Sequence, residues 1–184
     1  MLRDELLAGR AVALAGGVSD VVRDALLGLG ARVETLPGGD GLAADEDRIG
    51  EWARTHSPLD ALVYDAGRTF GDGGEAALAA AIEAGWVATR EVATGALIPA
   101  DAPSKVLLIG PRPNAGAFAD AVRAALENLA RTLSVEWARY GVTTAMIAPG
   151  DATSGEELAE LVCFLVSPAG DYLSGCRLEL GAAA

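Results

Sequence analysis

The stretch Ala115–Gly150, AGAFADAVRAALENLARTLSVEWARYGVTTAMIAPG, constrains the fold of this chain more than any other. Phe118, Val122, Leu126, Leu129, Leu133 and Trp137 recur at steps of three and four, which predicts one long helix with a buried face. Tyr140-Gly141 ends that helix, because glycine accepts the left-handed conformation that helix C-termini need. Val142 to Ala148 is a short apolar, partly β-branched run, the pattern of a strand covered on both faces, and Pro149-Gly150 turns the chain. A helix feeding a fully covered strand is the unit of an α/β sheet protein.

The 184 residues suffice for one domain, 1–184, with a sizeable core. That core is built mostly from Ala, Leu and Val, since 51% of the residues are hydrophobic and only 5% aromatic. The formal charge of −12 argues against nucleic acid and anionic membrane surfaces as partners, and reads as an acidic, solvated surface. Cys163 and Cys176 share no metal-ligand spacing, so neither a disulfide framework nor a metal site is expected. The charged start Met1-Leu2-Arg3-Asp4-Glu5 is unlike a signal peptide, and no apolar run is long enough to span a membrane. The expectation is a soluble, cytoplasmic protein.

Taken in order, Arg10 to Gly17 reads as a buried strand entering a glycine turn. Val18 to Leu29 follows as a helix capped by Ser19 or Asp20, and Ala31 to Leu36 is a second strand. Pro37 to Asp40 is a loop and Asp45 to His56 a helix. Leu59 to Tyr64 is a strand that ends in a tight turn at Asp65-Ala66-Gly67. A flexible connection, Phe70 to Gly74, leads to an Ala-rich helix over Glu75–Ile98, with Leu78, Ile82, Trp86 and Val87 on one face. Lys105 to Ile109 is a strand. After Pro149-Gly150 comes a helix capped by Thr153 or Ser154 with an acidic first turn, Glu156-Glu157, and Arg177 to Leu180 is the last strand. This alternation predicts a Rossmann-like doubly wound parallel sheet flanked by helices, with no internal repeat.

The segments GARV at Gly30, LDALVYDAG at Leu59–Gly67, GWVATREVATGALIP at Gly85–Pro99 and the long helix resemble the short-chain dehydrogenase/reductase family across essentially the whole chain. The resemblance implies NAD(P)-dependent oxidoreduction, and the family's motifs can be checked one by one. Its catalytic Tyr-x-x-x-Lys falls on Ala119 and Arg123, its catalytic Ser on Gly110 (or Pro111), and its catalytic Asn on Ala81. The related halohydrin dehalogenases carry Tyr-x-x-x-Arg but keep the Tyr, and Ala119 cannot titrate. Loss of the proton donor alone removes a general-acid contribution of about 10²–10⁴-fold. The family's three-glycine loop is reduced to Gly16-Gly17 and is about three residues short. The position that selects the adenosine ribose falls near Pro37, and Tyr64 and Asp65 replace two asparagines. Gly16, Gly17, Asp65, Ala66 and Gly67 thus mark at most a vestigial dinucleotide site: no cofactor is expected, NAD(P) is the ligand a vestige would take, and the plainer reading of Gly16-Gly17 is that it merely turns the chain. The substrate lid that follows Pro149-Gly150 in the family is missing.

Other residues offer little chemistry. His56, the single histidine, lies at a helix end, where a basic group meets the helix dipole. Tyr64, Tyr140 and Tyr172 are candidate displaced acids, Tyr64 the best placed of them, although simple packing is the stronger reading of it. Asp45-Glu46-Asp47 is an acidic first turn before it is a metal site. The family associates through its paired fourth and fifth helices and through the last helix with the final strand. Both elements are intact here, with Ala121, Ala124, Ala125 and Ala130 allowing close helix approach. The segment Gly175 to Ala184 is free to reach a neighbour. The reading is therefore a non-catalytic subunit, in a homo-oligomer or a hetero-oligomer with an active paralogue. The alternatives are an oxidoreductase with an unconventional proton donor and a nucleotide- or ligand-sensing module.

Overall fold

Six strands form one parallel sheet in the computed structural model of the protein, which describes residues 3–38, 46–71 and 73–181. They are β1 (Ala11–Ala15), β2 (Arg32–Thr35), β3 (Ala61–Asp65), β4 (Ser104–Ile109), β5 (Val142–Pro149) and β6 (Cys176–Leu180). The order is β2-β1-β3-β4-β5-β6, with Val12 beside Val33 on one side and beside Ala61 on the other. Every residue of β1 and β4 is buried, as parallel strands covered on both faces require. Helices α1 (Asp20–Gly28) and α6 (Gly155–Val166) cover one face. Helices α2 (Glu46–His56), α4 (Glu75–Val92) and α5 (Ala119–Glu136) cover the other. The Rossmann-like architecture expected from the alternation is the one found.

Local signals explain most element ends. Ser19 caps α1, and Ser154 with Glu157 forms a complete capping box on α6, each side chain bonding the other's backbone N–H. Past α5, Gly141 takes φ +73°, the left-handed turn its position called for. The Ala-rich helix runs α-helical to Val92 and closes with a π-helical turn over Ala93–Leu97.

Four expectations are corrected. Ala66-Gly67 does not make a tight turn but opens a short helix, α3 (Ala66–Phe70), because the Asp65 carboxylate accepts the Gly67 N–H at 2.8 Å and caps it. In α4 the buried face carries small residues, among them Ala81, Ala84, Gly85 and Ala88, along with Val87, while Leu78 and Ile82 are half-buried and Trp86 is 39% exposed. The cause is close approach to the sheet: a Cβ on Gly85 would lie 2.9 Å from the Tyr64 ring. In α5, Phe118 is the exposed N-cap residue rather than a core residue. Ala130 points into the core, and its carbonyl accepts from Thr144 Oγ1 at 2.5 Å, so it is not part of an outward face. The loop expected to run to Asp40, the helix start expected at Asp45 and the last residues of the C-terminal segment lie outside the described residues.

Candidate functional site

Strand β1 has β2 on one side and β3 on the other, so the chain's direction across the sheet reverses beyond the carboxyl ends of β1 and β3. A crevice opens there in folds of this kind. Two clefts occupy it. A smaller one, about 190 Å³, is bounded by Gly16, Gly17, Arg23, Thr35, Leu36 and Arg68. A larger one, about 340 Å³, lies over the ends of β3 to β5, against Asp65, Arg68, Gly110, Arg112 and Pro149. The expected nucleotide residues are thus brought to one edge of the sheet. Gly16, at φ +76°, is pressed against the Asp65 carbonyl and the Tyr64 ring, so no side chain fits there.

Of the four positions that the resemblance sets against the family's catalytic residues, Gly110 lines the larger cleft, and Ala81, Gly110 and Ala119 have no side chain that could transfer a proton. Ala119 is 1% exposed on the buried face of α5, one turn before Arg123. Arg123 is 4% exposed, and its guanidinium is shared between two backbone carbonyls and two carboxylates, Glu179 and, at 4.0 Å, Asp120. Its Nη1 donates to the carbonyls of Pro111 (2.9 Å) and Pro149 (2.8 Å), and its Nη2 lies 3.4 Å from a Glu179 oxygen. It therefore holds the ends of β4 and β5 together. Gly110 is closely packed: a Cβ there would lie 2.5 Å from Met146 Cε and 3.2 Å from Arg123 Cγ, so those two side chains would have to shift to admit a larger residue. Ala81 is fully buried, and its carbonyl accepts the Tyr64 hydroxyl at 2.7 Å.

Of the three tyrosines that are candidate displaced acids, Tyr64 takes the packing role. It is fully buried between α4 and the sheet, and burial pushes its phenol above the ordinary value. A group so placed is a packing residue with a satisfied hydroxyl. Tyr140 and Tyr172 are exposed and line neither cleft. His56 stacks on Trp52, with ring centroids 4.2 Å apart, and its Nδ1 lies 2.8 Å from the Trp52 carbonyl. Asp65 is the one perturbed group in the larger cleft: burial raises its carboxyl from 3.8 to about 6, against the opposing effects of the Gly67 N–H and of Arg68 and Arg112. Among the described residues no cluster of His, Cys, Asp or Glu could hold a metal ion.

One residue of the site was missed in the sequence. Arg112 lays its guanidinium across the cleft mouth, donating to the carbonyls of Gly150 (2.8 Å), Asp151 (2.9 Å) and Thr153 (2.5 Å). The Asn114 N–H returns a bond to the Asp151 carboxylate at 3.0 Å. The short turn between β5 and α6 is thereby strapped to the loop after β4, where a substrate lid would otherwise begin. An arginine between two prolines, in a loop that the family comparison marked as shortened, was the available signal.

On the far side of α4 and α5 lies an open groove of about 380 Å³, lined by Ile82, Trp86, Leu129 and Thr132 among others. The Trp86 ring carries the Arg90 guanidinium 5.7 Å from its centroid. No described helix is long and apolar enough to cross a membrane.

No family profile and no curated protein matches the chain in sequence. In three dimensions it superposes on the citronellol catabolism dehydrogenase AtuB of Pseudomonas aeruginosa with a TM-score of 0.79 at 21% identity, covering 99% of this chain and 98% of that one. BdcA of Escherichia coli, in a structure with NADPH, gives 0.75 at 22%, covering 95% and 94%. A short-chain dehydrogenase/reductase of Serratia marcescens gives 0.75 at 22%, covering 95% and 96%. The chain therefore has the fold of the short-chain dehydrogenases/reductases over nearly its full length.

Proposed function

We propose that the protein is a non-catalytic, cytoplasmic member of the short-chain dehydrogenase/reductase family that acts as an assembly subunit, with itself or with an active relative. The observation that carries this reading is Arg123. In the slot where the family's chemistry needs a free cation beside a tyrosine, a buried arginine is engaged by two backbone carbonyls through Nη1 and by the Glu179 carboxylate through Nη2, with Ala119 one turn away. Three further features support it. Gly110 offers no hydroxyl, Ala81 offers no side-chain amide, and Arg112 straps the larger cleft with three backbone bonds.

A dinucleotide fits the crevice poorly. The Asp65 carboxylate lines the larger cleft and opposes an anionic ligand there. The end of β2 supplies Leu36 and Pro37, and neither can bind a ribose hydroxyl or a 2′-phosphate through its side chain. The intact features are those of association. The outward groove between α4 and α5 presents Trp86 at 39% exposure, with Ala121 and Ala124 exposed nearby on α5. The test is what co-purifies with the tagged protein at endogenous level. A homo-oligomer, or a stoichiometric active reductase, is expected; a monomer that oxidises NAD(P)H on its own would overturn the reading. A ligand-sensing role is the second reading, favoured by the larger cleft that remains, and saturable nucleotide binding without turnover would support it.

A further inference from the structure

The other helical layer, α1 with α6, carries a groove that the proposed assembly role does not use. It is about 330 Å³ in volume and almost wholly apolar. Its α1 wall is the stripe Val21, Ala25, Gly28 and Leu29, and its α6 wall includes Ala159 and Cys163. The floor is made of small residues, and the groove between the two helices is wide and open. Gly28 is exposed and has nothing within 4 Å of where its Cβ would lie, so the space above it is open. Val21 packs against Gly155 and stands 41% exposed at one end.

The rim has one sign of charge. Glu156 and Glu160 line the groove from α6, and Asp24 is exposed on α1 one turn beyond Val21. No basic side chain lines it. Glu160 lies close enough to act on the floor, since its charge, after burial, helps raise the Cys163 thiol to about 11. An apolar trough with a carboxylate rim matches an amphipathic segment whose apolar side chains are flanked by Lys or Arg. A second copy of this chain matches it badly, because its net charge is −12 and two-fold pairing here would set carboxylate rims against each other. The same charge disfavours nucleic acid and anionic lipid.

We infer that the α1–α6 groove is a docking site for a cationic amphipathic helix of a partner protein. The apolar stripe would seat in the trough over Gly28, with its basic flanks against Glu156 and Glu160. This surface lies on the opposite side of the sheet from the α4–α5 groove, and because α6 is also the last helix, through which the family associates, the test below separates a partner helix from a second copy.

The probe is a synthetic amphipathic Leu/Lys helix, fluorescently labelled, titrated with the full-length protein. A Leu/Glu helix of the same pattern is the control. The Leu/Lys helix is expected to bind saturably and the Leu/Glu helix not at all. Gly28→Phe, which fills open space at an exposed position, should weaken binding by about tenfold or more. Glu156→Gln/Glu160→Gln should also weaken it and flatten its salt dependence. Glu51→Gln/Glu83→Gln removes two exposed carboxylates from α2 and α4 and should leave binding unchanged. Unchanged circular dichroism and urea midpoints would show that each variant folds. The inference is overturned if Gly28→Phe binds as wild type does, if the α2/α4 pair weakens binding as much as the α6 pair, or if the Leu/Glu helix binds equally. It is also overturned if sedimentation shows a dimer that Gly28→Phe dissolves, since the occupant would then be a second copy.

Discussion

Arg123→Met separates a structural arginine from a catalytic one. Methionine keeps the apolar stem within the core and removes the guanidinium, so the Pro111 and Pro149 carbonyls lose their donor, while the Glu179 carboxylate loses a weaker partner at 3.4 Å. Hydrogen bonds to a charged group contribute about 1.5–3 kcal/mol each, and a buried acceptor left unpaired costs about 1–3 kcal/mol. Allowing for water entering at the cleft, the expected loss is about 3–5 kcal/mol. In a chain of this length that lowers Tm by on the order of 10 °C. Glu179 is about half exposed, so Glu179→Gln should cost less than about 1 kcal/mol. Arg123→Lys keeps the charge and reaches fewer acceptors, and should fall between the two. Urea unfolding with a common m-value measures all three. If Arg123→Met unfolds within about 0.5 kcal/mol of wild type, the staple account is wrong.

Three further outcomes follow from the same geometry. Tyr64→Phe should cost about 1–2 kcal/mol by removing the hydroxyl bonded to the Ala81 carbonyl. A reductase activity abolished by that substitution would instead restore Tyr64 as a proton donor. Because burial raises the Asp65 carboxyl from 3.8 to about 6, the folded state holds that proton more tightly than the unfolded chain, and this contribution to stability is full below pH ~3.8 and lost as pH rises through about 6. The shift corresponds to at most about 3 kcal/mol, so Asp65→Asn, which can still accept the Gly67 N–H, should gain about 1–2 kcal/mol at pH 7.5 and nothing near pH 4, read from urea midpoints at the two pH values. Trp86→Ser should shift the protein toward monomer in sedimentation velocity without changing its circular dichroism; an unchanged distribution would exclude the α4–α5 groove as the association face.

The fold was legible because its signals are local and periodic. The three-and-four spacing of α5, the β-branched run of β5 and the Ser154/Glu157 pair each specify their element without tertiary context. What was not legible depended on how closely elements approach. Trp86 looks like a core residue on α4 until Tyr64 and Gly85 are seen to bring the helix onto the sheet through its small side. Phe118 extends the apolar period of α5 by one step, but it sits at the cap, where no neighbour covers it. At the site, the identities at Ala81, Gly110, Ala119 and Arg123 could be read by register, whereas the bonds of Arg123 and Arg112 could not. Both arginines act on backbone carbonyls that are distant in sequence, and a carbonyl leaves no trace in residue identity. Tyr64, for which packing is the stronger reading, lies buried under α4 with its hydroxyl on the Ala81 carbonyl.

The most direct measurement is a titration of the purified protein with NADPH and with NADH, followed by calorimetry and by the cofactor's fluorescence. The account predicts no saturable binding at cofactor concentrations up to about 1 mM, where even a weak complex of about −4 kcal/mol would register. A dissociation constant in the micromolar range, about −8 kcal/mol, would contradict it and return the crevice to nucleotide binding.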